Sequence, residues 1–214
     1  MNNQIADIRK DYIKQTLLEQ DVDHDPFLQF NKWWDEAIKS ELDEINAMTL
    51  ATATVNGMPS ARIVLLKSVS EEGFVFFTNY NSQKGKELLE NPNACLVFFW
   101  KELERQISIS GKVEKISDGE SDEYFLSRPE GSRIGAWASP QSNVIASRGI
   151  IEDNIAKYQQ QFADGEIARP PHWGGYIVIP SVIEFWQGRP DRLHDRIQYT
   201  LNEQGTWKIE RLAP

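Results

Sequence analysis

The chain has a single cysteine, Cys95, in 214 residues, which excludes a disulfide framework. Cys95 lies in the apolar run 94–100, where a buried, inert thiol is expected. No stretch approaches the roughly eighteen apolar residues of a membrane-spanning helix. The opening MNNQIADIRKDYIKQ lacks the apolar centre of a signal peptide, so a cytoplasmic protein with no membrane partner is expected. Positive charge is also scarce: 23 Lys and Arg against 32 Asp and Glu leave a net charge of -9, with no basic stripe. That balance argues against a nucleic-acid partner and means that an anionic ligand must be held by a local basic cluster. Repeats, low-complexity tracts and a second-domain linker are absent, and no metal is expected. With 40% apolar and 26% charged residues, one globular domain over residues 1–214 is the expectation.

Two helical segments open the chain, giving an N-terminal region of about residues 1–45. Ile5, Ile8, Tyr12 and Ile13 fall at helical spacing between residues 3 and 19. Pro26 suits the first turn of a second, firmly packed helix carrying Phe27, Phe30, Trp34, Ile38 and Leu42. From residue 46 strands take over. Residues 48–55 and 59–67 flank Asn56-Gly57, a strong hairpin signal, and the second of them has a fully apolar centre that predicts burial. Further strands are predicted over 74–78, 94–100, 176–179 and 206–211, with a short helix over 82–89. Alternation is clearest where Ile107, Ile109, Gly111 and Val113 interleave with Gln106, Ser108, Ser110, Lys112 and Glu114. Ser117 to Glu120 has the form of a capping box for a helix reaching Ser127 and ended by Arg128-Pro129. Ile151, Ile155, Tyr158 and Phe162 predict a helix over 149–162. About eight short strands with helices in the connections predict an antiparallel barrel with helical additions, a mainly β, α+β fold.

The densest chemistry lies in residues 183–196, IEFWQGRPDRLHDR. Its first part reads as a strand, the Gly and Pro as a turn, and residues 192–199 as a returning strand. Side-chain alternation would then set Arg192, His194 and Arg196 on one face, backed by Leu193 and Ile197. A solvated charged face is the ordinary reading of such a row. The apolar back and nearby Trp186 favour instead a site for a planar anionic ligand.

This segment resembles the signature of the pyridoxine/pyridoxamine 5'-phosphate oxidases, FMN enzymes of vitamin B6 metabolism, and the likeness spans nearly the whole chain. It implies an FMN-binding split β-barrel, antiparallel, whose barrel and connecting helices occupy 46–214, assembled as a homodimer with FMN between the subunits. The implied reaction is FMN-dependent oxidation of pyridoxamine 5'-phosphate or pyridoxine 5'-phosphate to pyridoxal 5'-phosphate, with dioxygen as acceptor and hydrogen peroxide as product. The flavin contacts it implies are Arg62, Ile63, Val64, Leu65, Leu66, Lys67, Phe77, Thr78, Gln83, Lys84, Gln106, Gln141, Ser142, Trp186 and Arg196. Gln83 departs from the family pattern, which has a basic residue there. Lys84 at a helix start also suits a phosphate on physical grounds. Arg62 and Lys67, five residues apart, should point to opposite faces of a regular strand. Either the strand bulges or its ends reach the ligand by different routes.

For the substrate, the resemblance implies Lys67, Tyr124, Arg128 and Ser132 at the phosphate. Two cations and two hydroxyls suit a dianion independently of the likeness. Arg192, Leu193 and His194 would meet the pyridine ring, Arg192 and His194 in orienting, electrostatic roles, and Arg9 and Tyr12, one turn apart on the first helix, would close over it. Two other readings stay open: a split-barrel flavin reductase using NAD(P)H, and a non-enzymatic carrier of pyridoxal phosphate or FMN, to which Gln83 is the sequence hint.

Overall fold

The structure, a computed structural model, describes residues 11–214. Its elements in chain order are α1 (Pro26–Lys39), β1 (Ala47–Ala53), β2 (Pro59–Leu65), β3 (Ser68–Ser70), β4 (Gly73–Asn79), α2 (Gln83–Glu90), β5 (Asn93–Trp100) and β6 (Arg105–Lys115). There follow α3 (Asp118–Ser127), α4 (Glu130–Ala138), α5 (Gly149–Gln161), β7 (Trp173–Gln187), β8 (Asp195–Leu201) and β9 (Trp207–Leu212). The sheet has nine strands in the order β2-β1-β5-β6-β7-β4-β3, with β8 pairing β7 and β9. The pairings β3–β4, β4–β7, β7–β8 and β8–β9 are antiparallel, as the barrel expectation requires. Among the described residues no helix is long and apolar enough to cross a membrane. Chain contacts divide the described residues into two compact units: residues 11–49, 95–111 and 180–214, and residues 50–94 and 112–179.

In the first unit α1 begins where Asp25 accepts a hydrogen bond from the Phe27 N–H and Pro26 fills the first helical position. The buried stripe is Phe27, Phe30, Trp33 and Ala37. That corrects the expected stripe by one position: the helix stops at Lys39, and Ile38 is 53% exposed. Trp33 meets Phe185 edge-on at 5.2 Å, and Phe185 meets Tyr199 at 5.6 Å. Such T-shaped pairs add roughly 0.5–1.5 kcal/mol each beyond area burial. Residues 11–25 form no helix, so the expected N-terminal helix is corrected over 11–19, and its earlier part lies outside the described residues.

In the second unit Phe125, Ile134, Ile167 and Trp173 form a buried cluster against which Phe77, Tyr124, Ile155, Tyr158 and Phe162 pack. Ser117 and Glu120 make both hydrogen bonds of the capping box that starts α3. Three corrections apply. The helix α4 was not anticipated after Pro129; Ile134 and Ala138, four apart and buried, are its packing face. The strand β2 is not buried: its residues alternate between exposed and half-buried, and Ile63 is 66% exposed. The separate strands expected at 176–179 and 182–186 are one strand, β7. Its register with β4 ends at Val178 and that with β8 begins at Val182, leaving Pro180, which lacks an N–H, outside both. Cys95 is half-buried rather than buried, its Sγ 3.3 Å from Ser108 Oγ.

Helix α2 sits hard against the preceding turn, since a Cβ on Gly85 would lie 2.2 Å from the Tyr80 carbonyl oxygen. Gly85→Ala should therefore destabilise the fold by about 1–3 kcal/mol, the cost of forced overpacking, rather than improve the helix as Ala usually does. Urea unfolding checks this; an unchanged or raised midpoint would refute the close approach.

Candidate functional site

A cavity of about 620 Å³ lies in the second unit. One wall is aromatic: Phe77 stacks on Tyr124 at 3.9 Å and 22°, and on Trp173 at 5.4 Å and 15°. Phe77 comes from β4, Tyr124 from α3 and Trp173 from the start of β7, so three elements fix one aromatic stack. The Arg128 guanidinium lies 4.6 Å from the Trp173 ring centre. Its Nη1 is buried without a hydrogen-bond partner among the described residues, and burial lowers its pKa. Arg128 as a whole is half-buried and lines the cavity, and a guanidinium there is a strong acceptor-seeking group. Ser132 of α4 and Lys67 line the same cavity.

Lys84 also lines the cavity, one position past the start of α2, where Ser82 caps the Gly85 N–H. Burial lowers the Lys84 pKa, Arg62 adds to the effect, and Glu87 opposes it. A helix start with a buried ammonium is suited to a phosphate. Thr78 and Gln141 also line the cavity, the Thr78 hydroxyl donating to Gln141 Oε1 at 3.4 Å. Ile63, Val64 and Leu65 complete the predicted lining, which explains why β2 leaves apolar side chains exposed.

Four predicted residues of this unit are not in the lining: Arg62, Leu66, Gln83 and Ser142. Leu66 is buried. Arg62 donates to the Leu50 carbonyl at 3.2 Å, to the Thr52 and Ser60 hydroxyls at 2.5 Å each, and to Glu87 Oε2 at 3.4 Å. The strand ends at Leu65, and Lys67 follows with its N–H on the Val75 carbonyl; Lys67 lines the cavity and Arg62 does not. Gln83 Nε2 donates to Glu87 Oε1 at 2.9 Å. Burial pushes the Glu87 carboxyl up, but hydrogen bonds from Ser60, Thr52 and Gln83 and the charge of Arg62 outweigh it, leaving a pKa of about 2.

The first unit holds the other predicted residues. Trp186 and His194 lie with ring centres 4.5 Å apart, and Tyr12 meets Trp186 edge-on at 5.9 Å and His194 at 6.1 Å. Arg196 pairs with both oxygens of Glu184 at 2.8 and 2.9 Å. Gln106 stands half-buried on β6 between Arg105 and Ile107. The predicted returning strand is corrected. It begins at Asp195, while Asp191 and Arg192 adopt left-handed conformations with φ of 56° and 62°. Arg192 and His194 thus precede the strand, Leu193 is 68% exposed, and the apolar backing is Ile197 and Tyr199. His194 Nδ1 accepts the Arg189 N–H at 3.1 Å, and burial followed by the charge of Arg192 lowers its pKa. A neutral imidazole in this bond carries its proton on Nε2. Arg9 lies outside the described residues.

Sequence reasoning missed Trp173 and Glu87. The signal for Trp173 was the Trp-Gly-Gly run at a strand start; Glu87, one of two carboxylates on a short helix, gave none. Among the described residues no group of His, Cys, Asp and Glu could hold a metal ion.

Comparison with known proteins bears on this geometry. A family model described as pyridoxamine 5'-phosphate oxidase matches residues 34–162, and one described as the pyridoxine 5'-phosphate oxidase C-terminal dimerisation region matches 173–214. The chain is 59% identical over its full length, and that of the relative, to a pyridoxine/pyridoxamine 5'-phosphate oxidase of Nostoc sp.. It is 57% identical to one of Ralstonia pickettii, covering 98% of this chain and 99% of the other. Among solved structures, PhzG from Burkholderia lata in complex with tetrahydrophenazine-1-carboxylic acid is 30% identical with a TM-score of 0.86, covering 93% of this chain and 98% of that one. An FMN-binding protein of Nostoc punctiforme, 19% identical with a TM-score of 0.70, covers 86% of this chain and 97% of that one and shares the fold.

Because the Glu87 carboxyl is held near 2 against a usual value of about 4.3, its contribution to stability is present above the higher value and lost as pH falls toward the lower. Wild-type protein should lose stability between about pH 5 and pH 2 more steeply than Glu87→Gln. Urea midpoints across that range check it; parallel curves would contradict the assignment.

Proposed function

The chain belongs to the pyridoxamine 5'-phosphate oxidase family, and on that premise we infer that it oxidises pyridoxamine 5'-phosphate or pyridoxine 5'-phosphate to pyridoxal 5'-phosphate, with dioxygen as acceptor and hydrogen peroxide as product. The observation that supports this best is the cavity itself, which an aromatic stack lines together with Lys67, Lys84 and Arg128. In a chain of net charge -9, three cations around one cavity are what a phosphorylated aromatic ligand needs.

The residues fit FMN as the cofactor: a buried ammonium at a helix start for a phosphate, and amide donors for a ring edge. When bound, FMN supplies the electron-pair chemistry, taking a hydride equivalent from the substrate C4' carbon and delivering it to dioxygen. The protein's work is binding and orientation. Lys84 and the first N–H groups of α2 would hold the cofactor phosphate, with Arg62 fixed beside them. Gln106, Gln141, Ser142, Trp186 and Arg196 would meet the flavin, with Phe77, Thr78 and residues 63–66. Lys67, Tyr124, Arg128 and Ser132 would hold the substrate phosphate. Arg192, Leu193 and His194 would orient the pyridine, His194 as a neutral donor through Nε2, with Arg9 and Tyr12 closing over it. For the amine substrate, water then releases ammonia.

The match to the family's dimerisation region supports a homodimer. We place FMN at the interface between its subunits and the enzyme in the cytoplasm, with no nucleic-acid or membrane partner.

An anaerobic absorption spectrum tests the reading. The FMN-loaded enzyme should lose its visible flavin bands on addition of pyridoxamine 5'-phosphate, and admission of air should restore them with formation of peroxide. Bleaching by NAD(P)H but by neither vitamer phosphate would mark a reductase, and tight vitamer binding without turnover a carrier.

Two substitutions separate the roles. Lys84→Ala should weaken FMN binding about 10- to 100-fold, the worth of a charged hydrogen bond. Arg192→Ala should lower kcat/KM at saturating FMN by a comparable or larger factor while leaving FMN affinity within about threefold. Flavin-fluorescence titration and steady-state kinetics read the two quantities; equal effects of either variant on both would remove the distinction.

A further inference from the structure

Glu104 is 1% exposed and stands in the left-handed region, with φ 57° and ψ 38°, between a short 3-10 turn and β6. A buried carboxylate in a conformation that residues other than Gly seldom adopt calls for specific partners. Its Oε2 accepts the N–H groups of Ile13 at 2.9 Å and Lys14 at 3.1 Å. Its carbonyl oxygen accepts the Gly188 N–H at 2.7 Å and Gln187 Nε2 at 3.2 Å. One residue therefore grips two segments: the backbone just after Tyr12 and the turn just after Trp186.

Those segments meet at the Tyr12 ring. A Cβ on Gly188 would lie 2.7 Å from Tyr12 ring atoms, so the ring lies against the bare Gly188 backbone, with Trp186 and His194 beside it. We propose that Glu104 is a positioning residue for the oxidation: it seats Tyr12 against Gly188, Trp186 and His194 by fastening the backbone on both sides of that contact. This rests on the assignment of Tyr12 and His194 to the substrate site. The remainder of the segment is held independently, since the Leu17 side chain is buried, its N–H bonds Asp195 Oδ2 at 3.1 Å, and Arg211 pairs with Glu19 at 2.6 Å. Loss of the Glu104 carboxylate thus frees the backbone N–H groups of Ile13 and Lys14 beside Tyr12, while the Lys14 ammonium keeps its bond to the Glu102 carbonyl at 2.5 Å and the rest of the segment stays in place.

The test uses FMN-loaded full-length enzyme and pyridoxamine 5'-phosphate. Glu104→Ala should raise KM about tenfold with a smaller change in kcat, and should speed hydrogen exchange at the amides of Ile13 and Lys14 while those in β8 keep their protection. Gly188→Ala, which leaves the carboxylate bonds intact but occupies the place of the ring, should raise KM in the same way. In a Tyr12→Ala background, Glu104→Ala should add less than about twofold to KM, because the residue it positions is gone. Additive effects in the double variant, or unchanged exchange at Ile13 and Lys14, would overturn the proposal. A Glu104→Ala protein that also lost FMN and β8 protection would assign Glu104 to general stability instead. A wild-type enzyme inert toward both vitamer phosphates would sink the functional reading beneath it.

Discussion

The stack of Phe77, Tyr124 and Trp173 is the contact on which the second unit's cavity depends, and it exists because two glycines follow the tryptophan. In the β4–β7 register Phe77 faces Gly175 and Thr78 faces Gly174. A Cβ on Gly175 would lie 2.9 Å from the Phe77 ring and 2.4 Å from Ile116, and one on Gly174 would strike the Tyr80 hydroxyl at 2.1 Å. Only a bare backbone lets the Phe77 ring lie over this part of β7 and meet Tyr124 face to face. With that stack in place, Arg128, which follows α3, lies over the Trp173 ring at 4.6 Å and lines the cavity.

The orientation of α3 is set electrostatically. Arg169, with its side chain only 9% exposed, pairs with Asp118 at 2.8 Å and Asp122 at 2.6 Å and donates to the Trp173 carbonyl at 2.6 Å. It thereby ties the first turns of the helix to the residue on which the aromatic wall rests. Acidic groups in a helix's first turn also favour its dipole, so the interaction serves local stability and placement together. The same economy of charge recurs at Arg196 with Glu184 and at Arg62 with Glu87. Most of the described arginines are already paired with carboxylates, whereas the cations that line the cavity, Lys67, Lys84 and Arg128, have no ion pair among the described residues.

Much of this was legible in the sequence, and the exceptions share a cause. The alternation of residues 106–114, the capping box at Ser117 and the Asn56-Gly57 hairpin each encode structure locally, and each appears in the fold. The strand read into residues 192–199 failed at its start because period-two reasoning cannot see two consecutive left-handed residues. The burial of β2 was misjudged because an apolar run in a strand carries no record of whether the surface it meets is core or cavity. The helix α1 was found with Phe27 and Phe30 on its packed face, but its second half was misread, since Trp33-Trp34 offers two equally apolar choices and tertiary packing buries the first more deeply. Which charges are free was the least readable property, as it depends on partners as far apart in sequence as Arg62 and Glu87.

Gln83 shows how such pairing changes the meaning of a departure from a family pattern. Read alone, an amide in place of a cation subtracts one charge from the phosphate end of the cavity. In the structure that amide occupies Glu87 Oε1, while Oε2 takes Thr52, Ser60 and Arg62. Glu87 is therefore fully engaged by short-range partners and holds Arg62 in place. A cation at position 83 would stand beside Lys84 and Arg62, and like charge lowers the stability of an ammonium that burial already disfavours. A neutral amide satisfies the same carboxylate without adding to the repulsion that Arg62 already exerts on Lys84 at the helix start.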